Sequence, residues 1–190
     1  MLVGRYACVL DACVLHPALL KGALLWLADE GLYRPVWSEL ILTEWQRSLE
    51  TRFNEQPEKA ARPVNLARDA FPTAMIEVPP ELIGGITLPD QDDRHVVAAA
   101  LVARAHAIVT TNLRHFPADI CKSYGIEVIH PDTFLVNVVD LDERRAVSAL
   151  RRHREVLQNP DMTAEQYLVE FERRGLVQTK QRLAALVGLL

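Results

Sequence analysis

Along this chain, short apolar runs keep giving way to longer stretches with helical spacing. Ala7-Cys8-Val9-Leu10 is the first such run, and it stops on Asp11. Apolar residues on consecutive positions over so short a length predict a strand covered on both faces, as in a parallel sheet. Leu19, Leu20, Ala23, Leu24 and Leu27 follow His16-Pro17 at helical spacing, predicting a helix over 18–30 that Gly31 stops. Residues 33–37 predict a second strand. Ser38 then stands where it can cap a helix with Leu40, Ile41, Trp45, Leu49 and Phe53 on one face. Residues 58–71 predict a helix carrying Arg62 and Arg68 and closed by Pro72, and 74–78 predict a strand. Pro79-Pro80 and Gly84-Gly85 predict a loop. An alanine-rich helix over 93–105 leads to a strand over 107–111 that ends on Asn112. A turn through Leu113-Arg114-His115-Phe116-Pro117 opens a short helix closed by Gly125, before a strand over 126–129 and an apolar helix from Pro131 to Asp140.

Strands alternating with helices over the first 140 residues predict an α/β sandwich with a central, mostly parallel sheet. Beyond Asp140 the pattern is helical only, over 142–157, 163–174 and 178–189, with Asn159-Pro160 and Gly175 between them. Thr163 and Gln166 have capping-box spacing. The expectation is a main domain over 1–140 and a C-terminal helical extension over 141–190.

Candidate chemistry concentrates in Leu88-Pro89-Asp90-Gln91-Asp92-Asp93-Arg94-His95, where three carboxylates occupy four positions ahead of the alanine-rich helix. Acids at a helix start cap free N–H groups and suit the positive end of the dipole. A capping pair of Asp90 and Asp93 uses two of the three and leaves one to explain, so a cation site and plain capping both remain open. Ligands of parallel sheets bind beyond the carboxyl ends of the strands. Asp11 and Asn112 each follow a strand and belong on that edge, and the Asp90 to Asp93 junction can reach it. In the second long helix Glu39 has the dipole to explain it. Glu44, mid-helix between Leu42 and Trp45, is the better site candidate against a plain solvated glutamate.

Charge changes the picture little. A net charge of −4 and a pI near 5.9 argue against coating nucleic acid by bulk charge. Arg144, Arg145, Arg151, Arg152, His153 and Arg154 make one helix of the extension strongly basic, as a solvated face or an RNA contact. Cys8, Cys13 and Cys121 cannot pair completely and sit in or beside apolar runs, which suits a reducing compartment. With a poor signal sequence and no run of the ~18 apolar residues a membrane span needs, the expectation is a soluble, cytoplasmic protein with no membrane partner.

Taken together, Val9-Leu10-Asp11, Ser38 with Glu44 six positions on, Asp90-Gln91-Asp92-Asp93-Arg94-His95 with its apolar helix, and Thr110-Thr111-Asn112 through Phe116-Pro117 resemble the PIN domain family in sequence and order. The resemblance covers about 1–140. The Leu-Pro-Asp-x-Asp-Asp-Arg-His phrase and the helical tail are similar to a subgroup of VapC-type toxins from toxin–antitoxin pairs. It implies a PIN-like three-layer sandwich and a Mg²⁺-dependent endoribonuclease, with Mn²⁺ as a substitute, cutting tRNA or another structured RNA. It also implies a homodimer and a cognate antitoxin; clefts near 18–30 and 38–55, whose helices are rich in leucine and tryptophan, are the expected dock for that antitoxin. Asp11, Glu44 and Asp93 match the family's metal-holding acids, and Asp90 matches a further acid of the subgroup. Ser38, Thr111 and Asn112 would be supporting polar groups. His115 stands where an aspartate is common, which bears on a second metal position. Arg94 and Arg114 are candidates for substrate phosphates or for ion pairs with Asp90 or Asp92. His95 and His115 read as structural or solvated, since the metal mechanism needs no histidine.

Three rivals keep parts of this pattern. A phosphatase of the haloacid dehalogenase type also places an aspartate after its first strand, but Asp11-Ala12-Cys13-Val14 lacks the second aspartate two residues on. A degenerate binding module would have lost the acids that are present here. A housekeeping RNA-processing nuclease would carry the same four.

Overall fold

The computed structural model describes residues 6–52, 56–157 and 161–190. Its first half runs β1 (Ala7–Leu10), α1 (Ala12–Leu15), α2 (Ala18–Asp29), β2 (Arg34–Ser38), α3 (Glu39–Arg52), α4 (Pro57–Ala70), β3 (Met75–Ile76), α5 (Pro80–Gly85) and α6 (Arg94–Ala103). The second half continues with β4 (Ala107–Val109), α7 (Ala118–Ser123), β5 (Glu127–Ile129), α8 (Pro131–Leu141), α9 (Glu143–Val156), α10 (Ala164–Arg173) and α11 (Val177–Ala184). Contacts divide the chain into two compact units. One takes in Tyr6–His16 and Arg34–Ile129, the other Pro17–Tyr33 and His130–Leu190. Among the described residues, no helix is long and apolar enough to cross a membrane.

The first unit is built on a five-stranded sheet in the order β3-β2-β1-β4-β5, with every pairing parallel. All four residues of β1 are buried, as its unbroken apolar run requires of a central strand. The helix α6 lies across β2, β1 and β4. Val96, Val97, Ala98, Ala99 and Ala100 are all buried, because small side chains let its backbone approach the sheet closely. Arg104 closes α6 in the left-handed conformation at φ 49°, where the Ala105 N–H can reach back to the Ala100 carbonyl at 2.8 Å.

Three local expectations fail. Pro80–Gly85 form α5 rather than a loop, because Pro80 occupies the first helical turn, where its fixed φ is an asset. The buried face of α3 is Ile41, Leu42 and Trp45, while Leu40 is exposed. Phe53 lies outside the described residues. The fourth strand ends at Val109, two residues before the predicted end, once the Thr110 N–H has paired with the Ile129 carbonyl.

In the second unit, α2 packs on α9, α8 packs on α9 and α11, and α10 packs on α11. Gly22 makes the first of these contacts possible, since a Cβ there would stand 2.1 Å from His153 Nε2. His153 is buried, and its Nδ1 lies 2.7 Å from the hydroxyl of buried Tyr167. Burial, then the charge of Lys21, lower the His153 pKa to about 4. Asp132 is 4% exposed and saturated: its Oδ2 accepts from Gln178 N–H at 2.9 Å, and its Oδ1 from the Thr179 N–H at 2.8 Å and hydroxyl at 2.7 Å. These N–H groups begin α11, so Asp132 caps it from another helix. Thr163 and Gln166 form the expected capping box, and Gly175 takes φ +76° after α10.

The basic run on α9 is largely occupied. Arg145 and Arg152 pair with Glu30, Arg152 also lies 5.4 Å from the Trp26 ring centre, and Arg151 pairs with Glu155 at 2.8 Å. Arg154 donates to the carbonyls of Leu190 at 3.0 Å and Met162 at 2.6 Å. Most of these guanidinium groups hold the helices together rather than wait for a ligand.

Candidate active site

The sheet unit brings the carboxyl ends of β2, β1 and β4 side by side, and the chain leaves each strand on a polar residue. Asp11 leaves β1 with its N–H still bonded to the Val109 carbonyl at 3.2 Å, which fixes it against the end of β4. Its side chain is 4% exposed. Thr110 donates its hydroxyl to Asp11 Oδ2 at 2.6 Å, and the Cys13 thiol donates to the same oxygen at 3.0 Å. The Thr110 hydroxyl in turn accepts from Asn112 N–H at 2.9 Å, which leaves its own proton aimed at the carboxylate. Burial, then the negative charge of Asp11, push the Cys13 thiol up to about 11, so it stays protonated and remains a donor.

Glu44 lies 3.1 Å, through Oε1, from Nε2 of His95 in the first turn of α6. His95 is buried, and its Nδ1 has no hydrogen-bond partner among the described residues. Asp93 occupies the position before α6 without capping it. Its Oδ2 lies instead 2.7 Å from His115 Nδ1, and Asp90 Oδ2 lies 3.4 Å from the same nitrogen. Asp90, Asp93 and His115 offer ligand atoms within 4.8 Å of one another. Burial raises the Asp93 pKa, and the charges of Asp11 and Asp90 raise it further, against the His115 hydrogen bond, which lowers it. The Asp90–Asp93 capping box does not form, because Asp90 Oδ1 accepts from Asp92 N–H at 3.0 Å.

A cavity of about 390 Å³ collects Asp11, Glu44, Asp93 and Asn112, three carboxylates and an amide from four separate segments, with Cys13, His16, Arg47, Ser48 and Thr51 also on its wall. Asp90 joins the group through His115 rather than on the wall. Ser38 is turned to α3, where its hydroxyl accepts from Ile41 N–H at 3.4 Å. Thr111 donates to Cys13 Sγ at 3.1 Å, and Thr110 takes the place at the carboxylate that the sequence reading gave to Thr111. Arg94 and Arg114 make no ion pair among the described residues and are not on the cavity wall. His95 and His115 are carboxylate partners rather than solvated side chains. Arg47, Ser48 and Thr51 escaped the sequence reading, although each follows Glu44 at helical spacing and so shares its face.

The carboxylates offer hard oxygen donors, and Asp93 lies under the field of Asp11 and Asp90. Both fit a divalent cation.

A parallel α/β sheet with acids gathered at its carboxyl edge defines the class, and residues 7–114 match the family model described as the PIN domain; the chain belongs to that family. Residues 131–185 match the model described as the VapC50 C-terminal domain. A protein of Mycobacterium tuberculosis (strain ATCC 25618 / H37Rv) named "Putative ribonuclease VapC50" is 59% identical over 51 residues, which is 27% of this chain and 30% of that relative. The chain thus spans under a third of the relative's length in that match. No solved structure matches.

Proposed function

We propose that this chain is a divalent-metal-dependent endoribonuclease of the VapC toxin type. The observation that carries the reading is the meeting of Asp11, Glu44 and Asp93 on one cavity wall. Those three residues, with Asn112 beside them and Asp90 behind Asp93, would hold Mg²⁺ or Mn²⁺. When bound, the ion supplies a more acidic water and positive charge opposite the phosphodiester. The chain's own part is positioning. Thr110 and Cys13 fix Asp11 by donating to one oxygen, His95 holds Glu44, and His115 holds Asp93. Each acid therefore has a polar partner that sets its direction.

The match of residues 131–185 favours the toxin over a housekeeping nuclease. A toxin of this kind acts in the cytoplasm on tRNA or another structured RNA, as a homodimer, and is held in check by a cognate antitoxin. The test is to incubate purified protein with total RNA in Mg²⁺ or in chelator, beside Asp93→Asn, and to map new RNA ends. Cleavage by the wild type in Mg²⁺ alone is expected. Ends produced equally by Asp93→Asn would sink the reading.

A further inference from the structure

Helix α3 does more than deliver Glu44. Glu44, Arg47 and Ser48 fall at i, i+3 and i+4, so they share one helical face, and all three line the cavity that holds Asp11 and Asp93. Arg47 is exposed, and its guanidinium makes no ion pair or hydrogen bond among the described residues, although three carboxylates line the same cavity. Several other arginines are already engaged by carboxylates. Arg68 is fixed on Glu39, Arg152 on Glu30, and Arg182 on Asp140 and Glu143. Arg47 therefore keeps its planar fork of N–H donors available, a geometry that matches phosphate oxygens.

A wall of three carboxylates repels a phosphate chain as it approaches, and a cation beside the acids offsets that field. We infer that Arg47 and Ser48 form a substrate subsite that holds an RNA phosphate next to the one that is cut. The inference rests on the nuclease reading above and adds where the strand lies. Arg47 follows Glu44 by three residues, ~4.5 Å along the helix axis, so the phosphate it holds lies beside the acids rather than among them. Ser48 adds a neutral donor on the same face. Thr51 does not, since its hydroxyl already donates to the Arg47 carbonyl at 2.8 Å. Contacts of this sort position a backbone and carry no base sequence.

The test uses the full chain in the Asp93→Asn background, with Mg²⁺ and a fluorescently labelled single-stranded RNA followed by anisotropy over a salt series. Adding Arg47→Gln is expected to weaken binding about tenfold and to flatten the slope of log affinity against log salt by ~0.7, the contribution of one phosphate contact. Arg47→Lys, which keeps the charge, is expected to retain the slope. An unchanged slope and affinity for Arg47→Gln overturns the subsite and leaves the nuclease reading standing. Failure of the Asp93→Asn protein to bind the RNA at any salt also overturns the subsite, and the cleavage test above judges the nuclease reading separately.

Discussion

Asp11 and Asp132 are both 4% exposed, and they serve opposite ends. Asp132 engages both oxygens with three donors at the start of α11. Asp11 receives both of its hydrogen bonds on Oδ2 and stands on a cavity wall beside Glu44 and Asp93. Burial of a carboxylate therefore does not mark a site. What separates the two carboxylates is how they are engaged, Asp132 through both oxygens and Asp11 through Oδ2.

The sharpest break of this comparison is Asp11→Asn, which keeps shape and removes charge. RNA cleavage should fall at least ~100-fold, since even partners of metal ligands typically cost 10–100-fold. In chelator the same variant should melt higher than wild type, because one of several mutually repelling acids is gone. Cleavage of RNA at the wild-type rate would remove Asp11 from the site.

The second unit should show itself in acid. His153 has a folded pKa of about 4 against an ordinary 6.5, so the unfolded chain takes up the proton first as pH falls. Stability from this group is full above pH 6.5 and declines towards pH 4, by about 3 kcal/mol in all. Denaturant melts of wild type and His153→Gln across that range read the difference. Parallel pH profiles for the two proteins would refute a neutral, buried His153.

Asp132→Asn is the mirror of Asp11→Asn. It should lower stability by about 2 kcal/mol, the worth of hydrogen bonds to a charged acceptor, with the cleavage rate of the folded protein unchanged. A drop in cleavage without a drop in melting temperature would reverse the two roles. The smallest effect is expected from Thr110→Val, which leaves Asp11 charged but loosens its aim. Cleavage about tenfold slower with the same ion requirement would mark Thr110 as a positioning group.

Much of this was legible in the sequence, and the reasons differ by element. The central strand and the alanine-rich helix announce themselves because burial on all sides leaves an unbroken apolar record. Asp11 stood out at the end of a strand, Glu44 in the middle of a helix, and Asp93 through its place in the motif that resembles the PIN family. Their partners were harder to see. The bonds of Thr110, His95 and His115 to acids join residues 99, 51 and 22 positions apart, a distance no local pattern spans. The basic helix misled for the same reason, since its carboxylate partner Glu30 lies more than a hundred residues away.

The threading of the chain has a consequence for anyone who wishes to divide it. Helix α2, with Leu20, Ala23, Leu24 and Leu27 buried, comes before almost the whole sheet, yet the helices of its own unit come after it. A fragment that stops at Ile129 would keep α2 and lose α8 and α9, stranding a leucine-rich ridge in water. Its natural fate is aggregation, whatever the state of the acids. Separate study of the two units calls for a circular permutant, or for excising 17–33 and bridging the gap, rather than for truncation.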